Sequence, residues 1–284
     1  MMTPATRTSA IDFLPRSAAV VQRQLTRNHG RSARAYELGL AACRRRLSFH
    51  AVHRLRIAIR RLLAGLELWR EIDVEIPAVR RALRRQARAL GKLRDAQVQL
   101  GIVEDQPSAT RLLEPLRQDL LKRRRRHAKE VRQVLKSDKA RRRLERWNPT
   151  PPAESLRPLD RLGILLDRRR RNTERSLVRL KSTTPIELAA VHRVRVEARK
   201  YRYAIEALRA NWRGAEAANL LSSLRAFHQV VGQLRDRELL VRRVDRLIAD
   251  QELPLSAARI FRALAKSERA RLHELLAKPP SESR

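Results

Sequence analysis

In residues 52–67, VHRLRIAIRRLLAGLE, the apolar positions Val52, Leu55, Ile59, Leu62, Leu63 and Leu66 recur at three- and four-residue intervals, the period of an amphipathic helix. Residues 191–206, VHRVRVEARKYRYAIE, repeat the pattern with Val191, Val194, Ala198, Tyr201 and Ile205. Leu, Ala, Arg and Glu dominate the rest of the chain, glycine numbers only 8, and β-branched residues are dispersed. Together these features predict an all-α protein.

Breaks at Pro15, at EIP (75–77), at Pro107, at NPTPP (148–152), at Pro185 and at Pro254 mark helix starts or ends. The segments between them run to roughly 20 to 35 residues, the lengths found in bundles. The Pro-rich stretch 148–158 reads as a linker between halves of about 15–147 and 153–278, with 1–14 and 279–284 as flexible tails. Two phrases recur in the same order across that divide. His53 and His192 stand 139 positions apart, while Asp95 of LGKLRD and Asp236 of VGQLRD stand 141 apart. The shared order and near-constant offset predict an internal duplication. Each half is expected to hold about four helices, with the His phrase on the second and the LeuArgAsp phrase on the third, as a pair of four-helix bundles related by pseudo-twofold symmetry.

Projected on a helix, His53, Arg56, Arg60 and Glu67 share an arc of about 60°, and the apolar flank is centred roughly 135° away. His192, Arg195, Arg199 and Glu206 form the same stripe in the second copy, which adds Arg202; Arg61 and Lys200 lie on the outer shoulders. Cations that border an apolar flank become the walls of a groove once that flank is buried. Two such helices facing each other would line a basic channel from both halves.

On the following helix, Arg84, Arg88, Lys92 and Asp95 succeed one another at helical spacing with Arg94 on an adjoining row. Arg225, Gln233, Arg235 and Asp236 are the counterparts in the second half. Carboxylates set among arginines read as struts that orient guanidinium groups, a role that Glu67 and Glu206 also fit. For His53 and His192 two readings stay open: contact with an anion, or a core or capping position at a helix start. A metal role is disfavoured because neither has a second ligand at close spacing. His127 and His228 fall outside the repeat and read as incidental. The runs 122–127 (KRRRRH) and 168–171 (RRRR) cover every side of their helices and read as solvated faces that enlarge the positive field.

Charge then narrows the function. Of 65 basic residues 56 are arginine, against 30 acidic ones, and the formal net charge is +35. A surface so charged repels itself unless a polyanion neutralises it, and guanidinium suits bidentate contact with phosphate. One cysteine, Cys43, excludes an internal disulfide and fits a reducing, cytoplasmic setting. The stretch MMTPATRTSAIDFLP has no long apolar core, and nowhere do about 18 apolar residues run together without charge, so neither a signal peptide nor a membrane span is expected.

HRLRIAIRRL (53–62), its second copy ending KYRYAIE (200–206), and the paired LeuArgAsp motifs resemble the CHAD family, the conserved histidine α-helical domain. The likeness covers about 15–278 as a single domain. It implies two helical bundles around a basic central groove or pore, and binding of inorganic polyphosphate, with association to polyphosphate granules in some members. Carried over residue by residue, the ligand set implied is His53, Arg56, Arg60, Arg61 and Arg94 in the first half, with His192, Arg195, Arg199, Lys200, Arg202 and Arg235 in the second. Helical spacing on the LeuArgAsp helices adds Arg84, Arg88, Lys92 and Arg225 to the candidate ligands. The sequence departs from the family pattern after its LeuArgAsp motifs, where AQV (96–98) and REL (237–239) stand.

Some members of that family carry a triphosphate tunnel domain with a GluXaaGluXaaLys signature; no such phrase occurs here, and the glycines form no Walker loop. Binding without catalysis or cofactor is the expectation. The alternative partner is nucleic acid, which the net charge would also attract. Against it stand an aromatic content of 4%, too little for stacking platforms, and the lack of a recognisable base-reading motif.

Overall fold

The computed structural model describes residues 18–76, 78–106, 111–147, 157–182, 187–208 and 215–277. The expected Pro-rich linker, apart from its last two residues, and both tails lie outside them. All regular structure among the described residues is helical. The first half comprises α1 (Ala18–Arg45), α2 (Phe49–Glu71), α3 (Arg80–Glu104), α4 (Glu114–Leu135) and a short α5 (Lys139–Arg146). The second comprises α6 (Arg157–Lys181), α7 (Leu188–Leu208), α8 (Ala215–Ala249) and α9 (Leu255–Ala277). His53 and His192 lie on the second helix of each half and the LeuArgAsp phrases on the third, as the spacing predicts. The extra element is α5, which follows a short break and returns Ala140 and Leu144 to the first core.

Neighbouring helices fold back as hairpins, α1 on α2, α3 on α4, α6 on α7 and α8 on α9. The close approach of α1 to α2 requires a glycine: a Cβ on Gly39 would sit 3.0 Å from Leu55 Cα. Ser48 starts α2, its hydroxyl accepting from Ala51 N–H at 3.2 Å. At the other end Asp73 takes a left-handed conformation (φ 59°) that closes the helix, and its carboxylate pairs with Arg161 of α6. The apolar flank read from α2 is buried as expected, with Val52, Leu55, Ile59, Leu62 and Leu66 at most 1% exposed; Leu63 is partly covered.

The apolar interior does not divide at the sequence midpoint. One core joins α1–α5. A second is built on α6–α8 but takes Val21 and Leu25 from α1 and Leu68 and Trp69 from α2. A third packs the end of α3 and the start of α4 against the end of α8 and the start of α9. The 35-residue α8, about 52 Å long at 1.5 Å per residue, reaches past its own half to do this. Burying apolar side chains on both flanks of the junction fixes the halves against each other. Between those flanks α2 crosses α7 and α3 crosses α8, and the charged stripes meet there.

Candidate anion-binding groove

Arg56 and Arg60 of α2 face Arg195 and Arg199 of α7, each close enough to perturb its neighbours electrostatically. Burial is the larger effect: together with the adjacent cations it pulls the Arg56 and Arg199 guanidinium groups down to about 10, and Arg195 downward as well. Gly232 of α8 lies against this row, its Cβ position 3.5 Å from Arg195 Nη2. Arg94 of α3 covers the Phe49 ring, 3.2 Å from its centroid, and its Nη1 is buried with no hydrogen-bond partner among the described residues.

Carboxylates stand at both ends of the row. Asp95 lies 3.9 Å from Arg56 and 3.7 Å from Arg235, and Asp236 lies 3.9 Å from Arg235. At the far end Glu206 meets Arg225 at 3.5 Å, Arg202 at 3.7 Å and Arg61 at 3.8 Å. These separations give charge compensation without a well-formed hydrogen bond, so the guanidinium N–H groups keep donor capacity. Burial and Asp95 raise the Asp236 carboxyl pKa against the pull of Arg195.

Neither histidine caps its helix or enters a core. Both are exposed and lie one turn inside, and on α2 the cap is Ser48. Partial burial lowers the His53 imidazole, with Arg94, Arg56, Arg60 and His50 acting in the same direction. Burial also lowers His192, helped by Arg235, Arg199 and Arg195. His228, read as incidental, belongs to the same cluster: burial and the neighbouring Arg202, Arg195 and Arg199 push it down to about 3 despite a hydrogen bond to the Ala198 backbone. Its Nε2 has no hydrogen-bond partner among the described residues. It lies outside the repeated phrases, which is why spacing alone passed over it.

Not every stripe residue joins the row. Lys200 turns outward to Glu197 at 2.8 Å, Lys92 pairs with Glu130 at 3.1 Å, and Arg84 stands beside Arg80. Arg88 is exposed on α3. Glu67 serves the fold instead of the groove, binding Arg80 of α3 at 3.1 Å and Arg169 of α6 at 2.8 Å. Arg169 corrects the reading of the run 168–171 as a solvated face, since it is only 6% exposed. In the run 122–127, Lys122, Arg124, Arg125 and Arg126 are exposed as expected, whereas Arg123 is half-buried and His127 is buried.

Among the described residues no three His, Cys, Asp or Glu side chains gather to hold a metal ion, and no helix is long and apolar enough to cross a membrane. The backbone is similar to the crystal structure of the CHAD domain from the plant Ricinus communis, with a TM-score of 0.69 at 19% identity, covering 95% of this chain and 96% of that one. It is also similar to PptA from Streptomyces chartreusis, with a TM-score of 0.65 at 18% identity, covering 90% and 95%. No curated protein matches the chain. The CHAD domain model matches residues 24–236, which include both His phrases and both LeuArgAsp phrases, and the chain belongs to the CHAD domain family.

Proposed function

We propose that this protein binds inorganic polyphosphate in the groove between its halves and does not cleave it. The observation that carries the reading is the meeting of Arg56 and Arg60 with Arg195 and Arg199, half-buried guanidinium groups that make no close hydrogen bond to a carboxylate among the described residues. Such a cluster is destabilised by its own charge until an anion enters. From His192 to Glu206 the α7 stripe runs about 21 Å at 1.5 Å per residue, a length suited to a linear polyanion. Stacking surfaces are few, and Phe49 is already covered by Arg94. The nearby carboxylates act as struts for arginines, which supports binding without phosphoryl transfer.

The matching order of helices and motifs supports an origin by duplication, with the two halves related by a pseudo-twofold axis through the groove. Cytoplasmic polyphosphate granules are the setting in which such a binder would act.

Competition against labelled single-stranded RNA of equal charge at physiological salt tests the ligand. Polyphosphate is expected to displace the RNA; RNA displacing polyphosphate would overturn the reading in favour of a nucleic-acid binder. In the same assay Arg56→Ala with Arg195→Ala is expected to weaken polyphosphate binding about 100-fold, if each lost charge-assisted contact is worth about 1.4 kcal/mol. Arg171→Ala with Arg175→Ala, an exposed pair on α6, removes the same charge and serves as the control. Equal losses in the two variants would mean that only the overall field attracts the ligand.

A further inference from the structure

A second basic concavity lies beside the groove, where three helices converge. α3 supplies Lys92, α4 supplies Arg123, Arg126 and His127, and α8 supplies Arg243 and Arg246. Each set falls at three-, four- or seven-residue spacing, so each helix turns one face to the same space. The cavity measures about 380 Å³, within the range of small-molecule sites.

Its cations are only partly neutralised. Lys92 is held by Glu130 at 3.1 Å and Arg243 by Asp119, while Arg123 and Arg126 make no ion pair among the described residues. His127 lies 3.4 Å from Glu130 through Nδ1. Burial and the neighbouring Arg243, Arg126 and Arg246 all lower the Arg123 pKa, and Asp119 only partly offsets them. The concavity therefore repeats, with a different set of residues, the unmatched positive charge of the groove.

Asp95 is the wall the two sites share. It lines the concavity and also stands at ion-pair distance from Arg56 and Arg235 of the groove. We propose that this concavity is a second anion site, taking a short phosphate oligomer, and that a long chain leaving the groove at Asp95 continues into it. The identity of that long chain rests on the polyphosphate reading above; the presence of an anion site here does not.

Calorimetric titration with inorganic tripolyphosphate separates the possibilities. The unaltered protein is expected to bind two molecules per chain. Arg123→Ala with Arg126→Ala should reduce this to one, and Arg195→Ala with Arg199→Ala should leave the one held by α4. Arg171→Ala with Arg175→Ala should keep two, which distinguishes a built site from loose attraction to a basic surface. Circular dichroism on each variant reports whether the helices are retained. A stoichiometry of one in the unaltered protein, unchanged by loss of Arg123 and Arg126, would overturn the second site. RNA winning the competition described above while two tripolyphosphates still bind would sink the polyphosphate reading and leave the second anion site standing.

Discussion

Arg169 of α6 donates to the Glu67 carboxylate of α2 at 2.8 Å, and its other terminal nitrogen donates to the Lys200 carbonyl of α7 at 3.1 Å. One buried guanidinium thus ties together the two halves and holds α2 and α7, the helices that carry the groove arginines. Removing one partner of a buried pair leaves the other uncompensated, although Arg80 still holds Glu67 here. Arg169→Met is therefore expected to cost about 3 kcal/mol. At this chain length that lowers Tm by about 5 °C in thermal unfolding. An unchanged Tm would return Arg169 to the solvated face that its sequence context suggests.

Arg199 offers the opposite balance between stability and binding. It is buried among Arg60, Arg195 and Arg202, so the fold gains little from its charge. Arg199→Met should raise the Tm of the free protein while weakening polyphosphate binding about tenfold, the loss of one charge-assisted contact. Differential scanning calorimetry with and without polyphosphate measures both. A fall in the free-protein Tm would show that Arg199 is already satisfied by its neighbours.

His53, His192 and His228 all have folded-state pKa values below the ordinary 6.5. As pH falls below about 6.5 the unfolded chain takes up protons that these folded imidazoles resist, so the free protein loses stability. For His228 that loss continues down towards about 3. A bound polyanion screens the surrounding arginines and lifts these pKa values, so binding takes up protons and tightens as pH drops from about 7.5 to about 5.5. Titration calorimetry in two buffers of different ionisation enthalpy should show net uptake, reduced in His53→Asn with His192→Asn. Equal uptake in that double variant would place both imidazoles away from the ligand.

Much of the groove is legible along the chain because a helix converts spacing into direction. The stripe of His53, Arg56 and Arg60 and the burial of Leu55, Ile59 and Leu62 follow from the same rotation per residue. Repetition of the phrase at His192 then points to a second wall. Periodicity is silent, however, about which wall residues face each other. Arg61 and Lys200 hold the same shoulder position in the two copies, yet Arg61 reaches across to Glu206 of α7 at 3.8 Å while Lys200 turns back to Glu197 on its own helix at 2.8 Å.

By itself, the sequence determined the helical class, the order of the motif-bearing helices and the excess of arginine, because these depend on local periodicity and composition. Tertiary structure alone decided that α8 crosses into the first half, that Arg169 is a buried clasp and that His228 joins the cluster. It also placed Arg123 and Arg126 beside Arg243 in a second basic cavity. Those outcomes depend on which helix faces pack together, and packing joins residues more than 100 positions apart whose proximity no local pattern encodes.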